Sequence, residues 1–167
     1  LGERLRVNVQ LLDAATGEHR WAERFDGTLE DAFAIQSEIA QRVVAVVGTT
    51  LTGAEARAMA AAPTADPEAY LLYLQGMEYW RRPGFQRRNS EIAQDFYERA
   101  LALDPTFALA HAALSELHGQ MAGLRYDTSP ERLFRQQQEA AAALRLAPDL
   151  PQAHAAFCLL YTSDAAD

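Results

Sequence analysis

Apolar and polar residues alternate near the start of the chain, a pattern typical of a β-strand with one buried face. Every second residue from Leu5 to Leu11 is apolar. Turn-forming residues follow at positions 16–18, and the next segment carries the large aromatics Trp21 and Phe25. These features predict a β-hairpin, which needs a packing partner because an isolated hairpin is only marginally stable in water.

The apolar spacing then changes to the period of a helix. Apolar residues recur every three to four positions from Ile35 to Val47, and Gly48 is a natural helix end. Thr28 and Asp31 have the spacing of an amino-terminal capping pair. The order strand, strand, helix predicts the last part of an α/β domain over residues 1–51.

Residues 52–67 differ from the segments on either side. Thr52 begins a second capping pattern and a short predicted helix that reaches Met59. Pro63 and Pro67 interrupt any longer helix. We therefore predict a linker at 52–67 that separates two domains.

The remainder, residues 68–167, has helical periodicity throughout. Ser129 and Pro130 are suited to the cap and first turn of one of its helices. Short loops between successive helices favour antiparallel hairpins. The predicted helices lie at about 67–81, 89–103, 107–121 and 130–146, with a fifth that begins near residue 152.

Part of the helical region recurs at a fixed distance. Pro105 and Pro148 are 43 residues apart, and so are His111 and His154. The residues around them also match, with an Ala-Leu-x-Leu-x-Pro run before each histidine and Ala-His-Ala-Ala around it. A helix end, a proline and a new helix start at constant spacing indicate stacked helical hairpins.

These segments resemble tetratricopeptide repeats, whose usual period is about 34 residues. The resemblance implies a mainly α fold, an antiparallel helical-hairpin solenoid with about two and a half repeats in this chain. The sequence departs from the repeat pattern in its longer loop, in Gln75 at a leucine position and in Gln136 at an alanine position. The positions that the resemblance assigns to packing between helices are Leu72, Gly76, Tyr79, Ala93, Tyr97, Ala100, Pro105, His111, Leu114, Ala143, Pro148 and His154.

The same resemblance implies a binding groove on the concave face, lined by helix residues that lie off the packing seam. Aromatic residues and arginine, which binding hot spots favour, are frequent among them. The alternative is that this aromatic stripe packs against the preceding domain or the long loops. The implied groove residues are Tyr70, Tyr73, Met77, Trp80, Arg81, Leu109, Ala112, Glu116, Gln120, Gln152 and Ala155.

The amino-terminal segments 4–25 and 34–40 are similar to the TolB amino-terminal-like domain of bacterial signalling proteins. In that family the domain directly precedes tetratricopeptide repeats, and a nucleotide cyclase, winged-helix or protein kinase domain often lies upstream. The resemblance implies a cytoplasmic sensor or regulator. The chain starts at Leu1 within a strand-like pattern, so we expect a fragment of a longer protein.

Composition narrows the possible functions. The net charge of −8 argues against general nucleic-acid binding, which needs excess positive charge. The single cysteine excludes an internal disulfide and any multi-cysteine metal site. The longest apolar run, 43–47, is far shorter than the roughly 20 residues of a membrane helix. Residues 158–167 leave the repeat pattern and resemble translated sequencing-adapter read-through.

Catalytic and metal-binding patterns are missing from the sequence. It contains no GxGxxG, Walker-type or GxSxG motif and no HExxH spacing. We therefore expect no catalytic residues, no metal and no cofactor, and we assign the histidines to packing. Residues 80–88 combine four arginines with two aromatics, which suits either an anion site or a solvated loop.

The sequence therefore favours a non-catalytic scaffold within a larger bacterial regulator. It would bind a protein or peptide partner, and no nucleic acid, on the concave face of its repeats. The alternative is the regulatory part of a class III adenylate/guanylate cyclase or of a winged-helix transcriptional regulator.

Overall fold

A computed structural model describes residues 4–28, 31–48, 52–53, 62–84 and 86–164, with side-chain burial up to residue 160. The chain forms two compact units, Leu1–Ala62 and Pro63–Asp167. The described residues are mainly helical, with one small antiparallel sheet.

The first unit contains the predicted hairpin. Strand β1 (Arg4–Leu12) pairs antiparallel with strand β2 (His19–Thr28), so that Leu11 lies opposite Trp21. The side chain of Asp13 stabilises the turn because its carboxylate accepts hydrogen bonds from two backbone N–H groups of the loop.

Helix α1 (Ala32–Val47) follows the hairpin and contacts both strands. Asp31 occupies the cap position of this helix, so the prediction that Thr28 is the cap is wrong. The predicted pairing of Thr28 with Asp31 is present, because the hydroxyl and the backbone N–H of Thr28 both donate to the carboxylate of Asp31, at 2.8 Å each. The helix ends at Gly48, whose φ of 76° favours glycine. The predicted helix over 52–59 lies almost wholly outside the described residues.

The second unit contains five helices within the described ranges, as the apolar spacing predicts. Each observed end lies within two residues of its prediction. The helices are α2 (Pro67–Trp80), α3 (Arg87–Leu103), α4 (Ala108–Gly123), α5 (Pro130–Leu146) and α6 (Pro151–Asp164).

Capping side chains fix where two of these helices begin. The carboxylate of Asp66 accepts hydrogen bonds from the second and third backbone N–H groups of α2. The hydroxyl of Ser129 accepts one from Arg132 N–H at the start of α5, as predicted. Pro67 and Pro130 occupy the first turns, where a missing N–H costs nothing.

Helices α2 and α3 approach each other closely at Gly76. A Cβ atom placed on this glycine would lie 2.5 Å from the ring of Tyr97, so only glycine fits without a shift of one helix. Tyr97 is 1% exposed, and its ring centroid lies 5.8 Å from that of Tyr73. The core between these helices is therefore centred on the Tyr97 ring, which packs directly against the backbone of α2 at Gly76.

Helix α4 is the central helix of the unit because it contacts α3, α5 and α6. Buried residues accordingly surround it on several sides. The departure at Gln136 has a local explanation: this buried side chain lies over Gly119, where a Cβ would come within 2.5 Å of its amide nitrogen. The hydroxyl of Ser115 donates to the Gln136 carbonyl at 2.9 Å, which links α4 to α5.

The contact at Gly76 leads to a stability prediction. Gly76→Ala should lower the free energy of unfolding by about 1–3 kcal/mol, because the added methyl group overpacks the α2–α3 contact. Gly123→Ala is the matched control, since a Cβ there meets nothing within 4 Å and alanine favours helix. Chemical denaturation measures both variants; equal stabilities would contradict the proposed packing constraint.

Candidate functional site

A cavity of about 190 Å³ opens on the helical unit. Four helices contribute to its wall. The lining residues are Tyr73, Met77 and Trp80 from α2, Arg81 directly after α2, Tyr97 from α3, Leu109, Ala113 and Glu116 from α4, and Gln152 from α6.

Seven of the eleven residues implied for the groove line this cavity. The other four do not, and one of them, Ala155, is exposed on α6. Tyr70 is half-buried and stacks on Tyr73 at 6.1 Å between ring centroids. Ala112 is 1% exposed in a cluster of alanines from α4, α5 and α6, so the structure contradicts its expected place in the groove. Gln120 is half-buried elsewhere on α4.

Some of the aromatic stripe also belongs to the core of the helical unit, a packing that neither the groove interpretation nor its alternative specified. Tyr73 is only 9% exposed and packs edge-on against Phe107 at 5.2 Å. Met77 and Trp80 are half-buried and pack against the same core. The cavity wall is therefore continuous with the hydrophobic core, and that continuity fixes its shape.

The sequence pattern missed two lining residues, Ala113 and Tyr97. Tyr97 was predicted to pack between helices, and it does so, but it also borders the cavity. Its hydroxyl is buried and has no hydrogen-bond partner among the described residues. The signal available in the sequence was the small residue Gly76 opposite it, which lets the ring pass over α2.

The ionisable groups of the cavity are not neutralised by their neighbours. Glu116 is half-buried, and its burial raises the pKa of the carboxyl group. No hydrogen bond or ion pair to it occurs among the described residues. Arg81, at the end of α2, is exposed and likewise makes no ion pair within the described ranges.

The phenol groups of the cavity stay protonated at ordinary pH. Burial, together with the nearby Tyr70 and Glu116, raises the pKa of Tyr73 to about 12, although Arg81 opposes the shift. Burial also raises the pKa of Tyr97. Both hydroxyls can therefore donate as well as accept a hydrogen bond.

The residues predicted to pack between helices differ in burial, and His111 among them is half-buried. Most are buried, and these are Leu72, Gly76, Ala93, Tyr97, Ala100, Leu114 and Ala143, while Tyr79 is half-buried and stacks on Phe96. Pro105, Pro148 and His154 are exposed. For His154 the predicted packing is wrong, because its ring lies at the surface beside a turn.

The two repeat histidines make the same hydrogen bond. Nε2–H of His111 donates to the carbonyl of Pro105 at 3.1 Å, and Nε2–H of His154 donates to the carbonyl of Pro148 at 2.5 Å. Each bond spans six residues and ties the first turn of a helix to the proline turn before it. The repeated histidine thus closes a turn in both places, and His111 also contacts the neighbouring helix α5.

His111 makes a second, longer-range contact. Its Nδ1–H donates to the carboxylate of Glu139 on α5 at 2.5 Å. Both ring nitrogens then act as donors, which requires the imidazolium form. Burial lowers the pKa of His111, but the hydrogen bonds to Glu139 and the Pro105 carbonyl outweigh it, and the net pKa is raised.

His118 is held neutral by a different network. Arg132 donates to its Nδ1 at 2.7 Å and to Oε1 of Gln94 at 2.8 Å. Burial and the adjacent guanidinium lower the pKa of His118 to about 4. This network joins α3, α4 and α5. Because Nδ1 of His118 accepts a hydrogen bond from Arg132, that nitrogen is not available to bind a metal ion.

Other chemistry has little support within the described ranges. No group of histidine, cysteine and acidic side chains there could hold a metal ion. In the loop proposed for anions, Arg82 pairs with Glu78 and Arg87 pairs with Glu91, which favours the solvated-loop interpretation; residue 85 lies outside the described residues. Of the helices described, none combines the length and apolar character that crossing a bilayer requires.

Comparison with known proteins gives one informative similarity. No protein-family model matches the chain. A curated protein of Rhizobium meliloti (strain 1021), named "Putative adenylate cyclase 3", is 38% identical over 112 residues. The match covers 67% of this chain and 19% of that protein, so the chain spans about a fifth of the relative's length.

The His111–Glu139 pair should make stability depend on pH. Because the pKa of His111 is raised on folding, its stabilisation is complete below the unfolded pKa and is lost as pH rises through the folded pKa. Glu139→Gln should therefore cost on the order of 1 kcal/mol near pH 5.5 and much less near pH 8.5.

Urea denaturation at the two pH values measures this difference. Glu131→Gln is the control, since Glu131 is an exposed acid on the same helix. A Glu139→Gln penalty that is the same at both pH values would show that the pair is not an ionic hydrogen bond.

Proposed function

We propose that the helical unit is a segment of a tetratricopeptide-type solenoid that binds a peptide or partner domain without catalysing a reaction. The observation that carries this proposal is the cavity, where seven residues chosen by repeat position meet between four helices. A wall that combines aromatic side chains with the charged residues Arg81 and Glu116 suits a binding hot spot.

The repeated turn supports the solenoid interpretation. The two proline turns and their histidine hydrogen bonds recur 43 residues apart, and α4 contacts both the helix before it and the helices after it. Helical hairpins stacked in this way form extended concave surfaces.

The parent protein, in this proposal, is a cytoplasmic bacterial regulator linked to adenylate cyclase signalling. The Rhizobium meliloti relative supports that link through its name and through its similarity across much of this chain. The first unit would then be the carboxyl-terminal part of a TolB-like domain. This favours a cyclase-associated regulator over the winged-helix alternative.

The chain itself should not make cyclic AMP. Incubation of the purified chain with ATP and Mg²⁺ or Mn²⁺ should give no product above the buffer level, because no metal-binding group occurs among the described residues. A catalytically competent class III cyclase serves as the positive control. Turnover that remains with the chain through purification would overturn the non-catalytic assignment.

Partner binding should depend on the mouth of the cavity. A photo-crosslinking residue in place of Gln152 should capture a host protein that the same residue in place of Gln137, an exposed position of α5, does not capture. Once that partner is purified, Arg81→Glu/Gln152→Glu should weaken its binding at least tenfold in calorimetry.

The matched control for this experiment is Arg88→Glu/Gln137→Glu, which makes the same charge change at exposed positions away from the cavity. Both double variants alter exposed residues and should remain folded. Equal binding by the two would contradict a role for the cavity in partner recognition.

A further inference from the structure

The polar groups at the cavity define what can occupy it. Glu116 brings a carboxylate without a counterion, and the Tyr97 hydroxyl is buried without a partner among the described residues. A neutral apolar group in the cavity would leave both without a hydrogen-bond partner, which is unfavourable for the hydroxyl and more so for the charged carboxylate. An anionic group would add repulsion from Glu116.

A cationic hydrogen-bond donor meets these demands. An ammonium group carries three N–H donors, enough for the Glu116 carboxylate and for the hydroxyl oxygens of Tyr97 and Tyr73. The aromatic faces of Trp80 and Tyr73 attract cations. Met77 and Leu109 offer apolar wall for an aliphatic stem behind the charged group.

The size and the mouth of the cavity restrict the ligand further. At about 190 Å³ the cavity is smaller than the roughly 300–1,000 Å³ of ordinary small-molecule pockets, so it fits one side chain better than a cofactor. Arg81 would repel a lone cation, and it makes no ion pair within the described ranges to offset this. A ligand that carries an acidic group beside its cation would pair with both Arg81 and Glu116.

We propose that this cavity receives the ammonium group of a lysine side chain, presented by a peptide segment of the partner in which a neighbouring residue is acidic. Glu116 is the counterion, the Tyr97 hydroxyl orients the ammonium group, and Arg81 binds the neighbouring carboxylate. This assignment rests on the proposed role of the helical unit as a peptide-binding scaffold and names the residue type that it recognises.

The fold itself gains nothing from these groups, which separates a binding role from a structural one. Since burial raises the pKa of Glu116, the ionised carboxylate costs stability at neutral pH, and Glu116→Gln should leave the melting temperature unchanged or higher. Tyr97→Phe removes a buried hydroxyl without a partner and should likewise leave it unchanged or higher.

The test is calorimetric titration of the full 167-residue chain with blocked tetrapeptides that contain adjacent glutamate and lysine. Replacing the peptide's lysine by norleucine should weaken binding at least tenfold, and replacing its glutamate by glutamine should weaken it several-fold. Glu116→Gln should lose at least tenfold in affinity and Tyr97→Phe several-fold, while Glu131→Gln binds as the unchanged chain does.

Each contrary result overturns the proposal. Equal binding of the norleucine peptide, unchanged affinity of Glu116→Gln, or no binding of any peptide by the folded chain would exclude a lysine site. Free butylamine binding as tightly as the peptide would mean that the cavity takes small amines instead. In all of these cases the crosslinked partner could still depend on Arg81 and Gln152, so the scaffold function is judged separately.

Discussion

The close approach of α2 and α3 at Gly76 is the constraint on which the helical unit depends. The missing side chain lets the Tyr97 ring lie directly on the α2 backbone, where it also meets Tyr73. Tyr97 also borders the cavity, and its buried hydroxyl has no hydrogen-bond partner among the described residues. One contact therefore sets the helix spacing and places a residue with a buried, unpaired hydroxyl beside the cavity.

Local signals were enough to predict the helices, whereas the environment of individual side chains depended on neighbours distant in sequence. Asp66 and Ser129 mark helix starts within a few residues, so patterns of short range suffice. Ala112 is buried because α4 is covered on several sides. The repeat pattern, by contrast, assigns a helix residue either to the packing seam or to the groove. The His111–Glu139 bond joins residues 28 apart and has no periodic signature.

The helical unit satisfies its polar groups unevenly. Arg132 donates hydrogen bonds to three acceptors, and the Ser115 hydroxyl donates to a backbone carbonyl. These polar groups between α3, α4 and α5 therefore all have hydrogen-bond partners. At the cavity, by contrast, the Tyr97 hydroxyl and the Glu116 carboxylate are left without partners in the described structure. Polar groups that lack partners in this way are expected mainly at sites where proteins bind ligands.

The histidine bond to the proline carbonyl has a consequence for how such a chain tolerates changes in length. One residue inserted between Pro105 and His111 would rotate the helix start by about 100° and carry the donor away from its acceptor. An insertion in the loop at 124–129 would lengthen only the tip of a hairpin and leave that bond intact. The loop between α4 and α5 can therefore change in length, whereas the turn before α4 has to keep its length for the histidine bond to form.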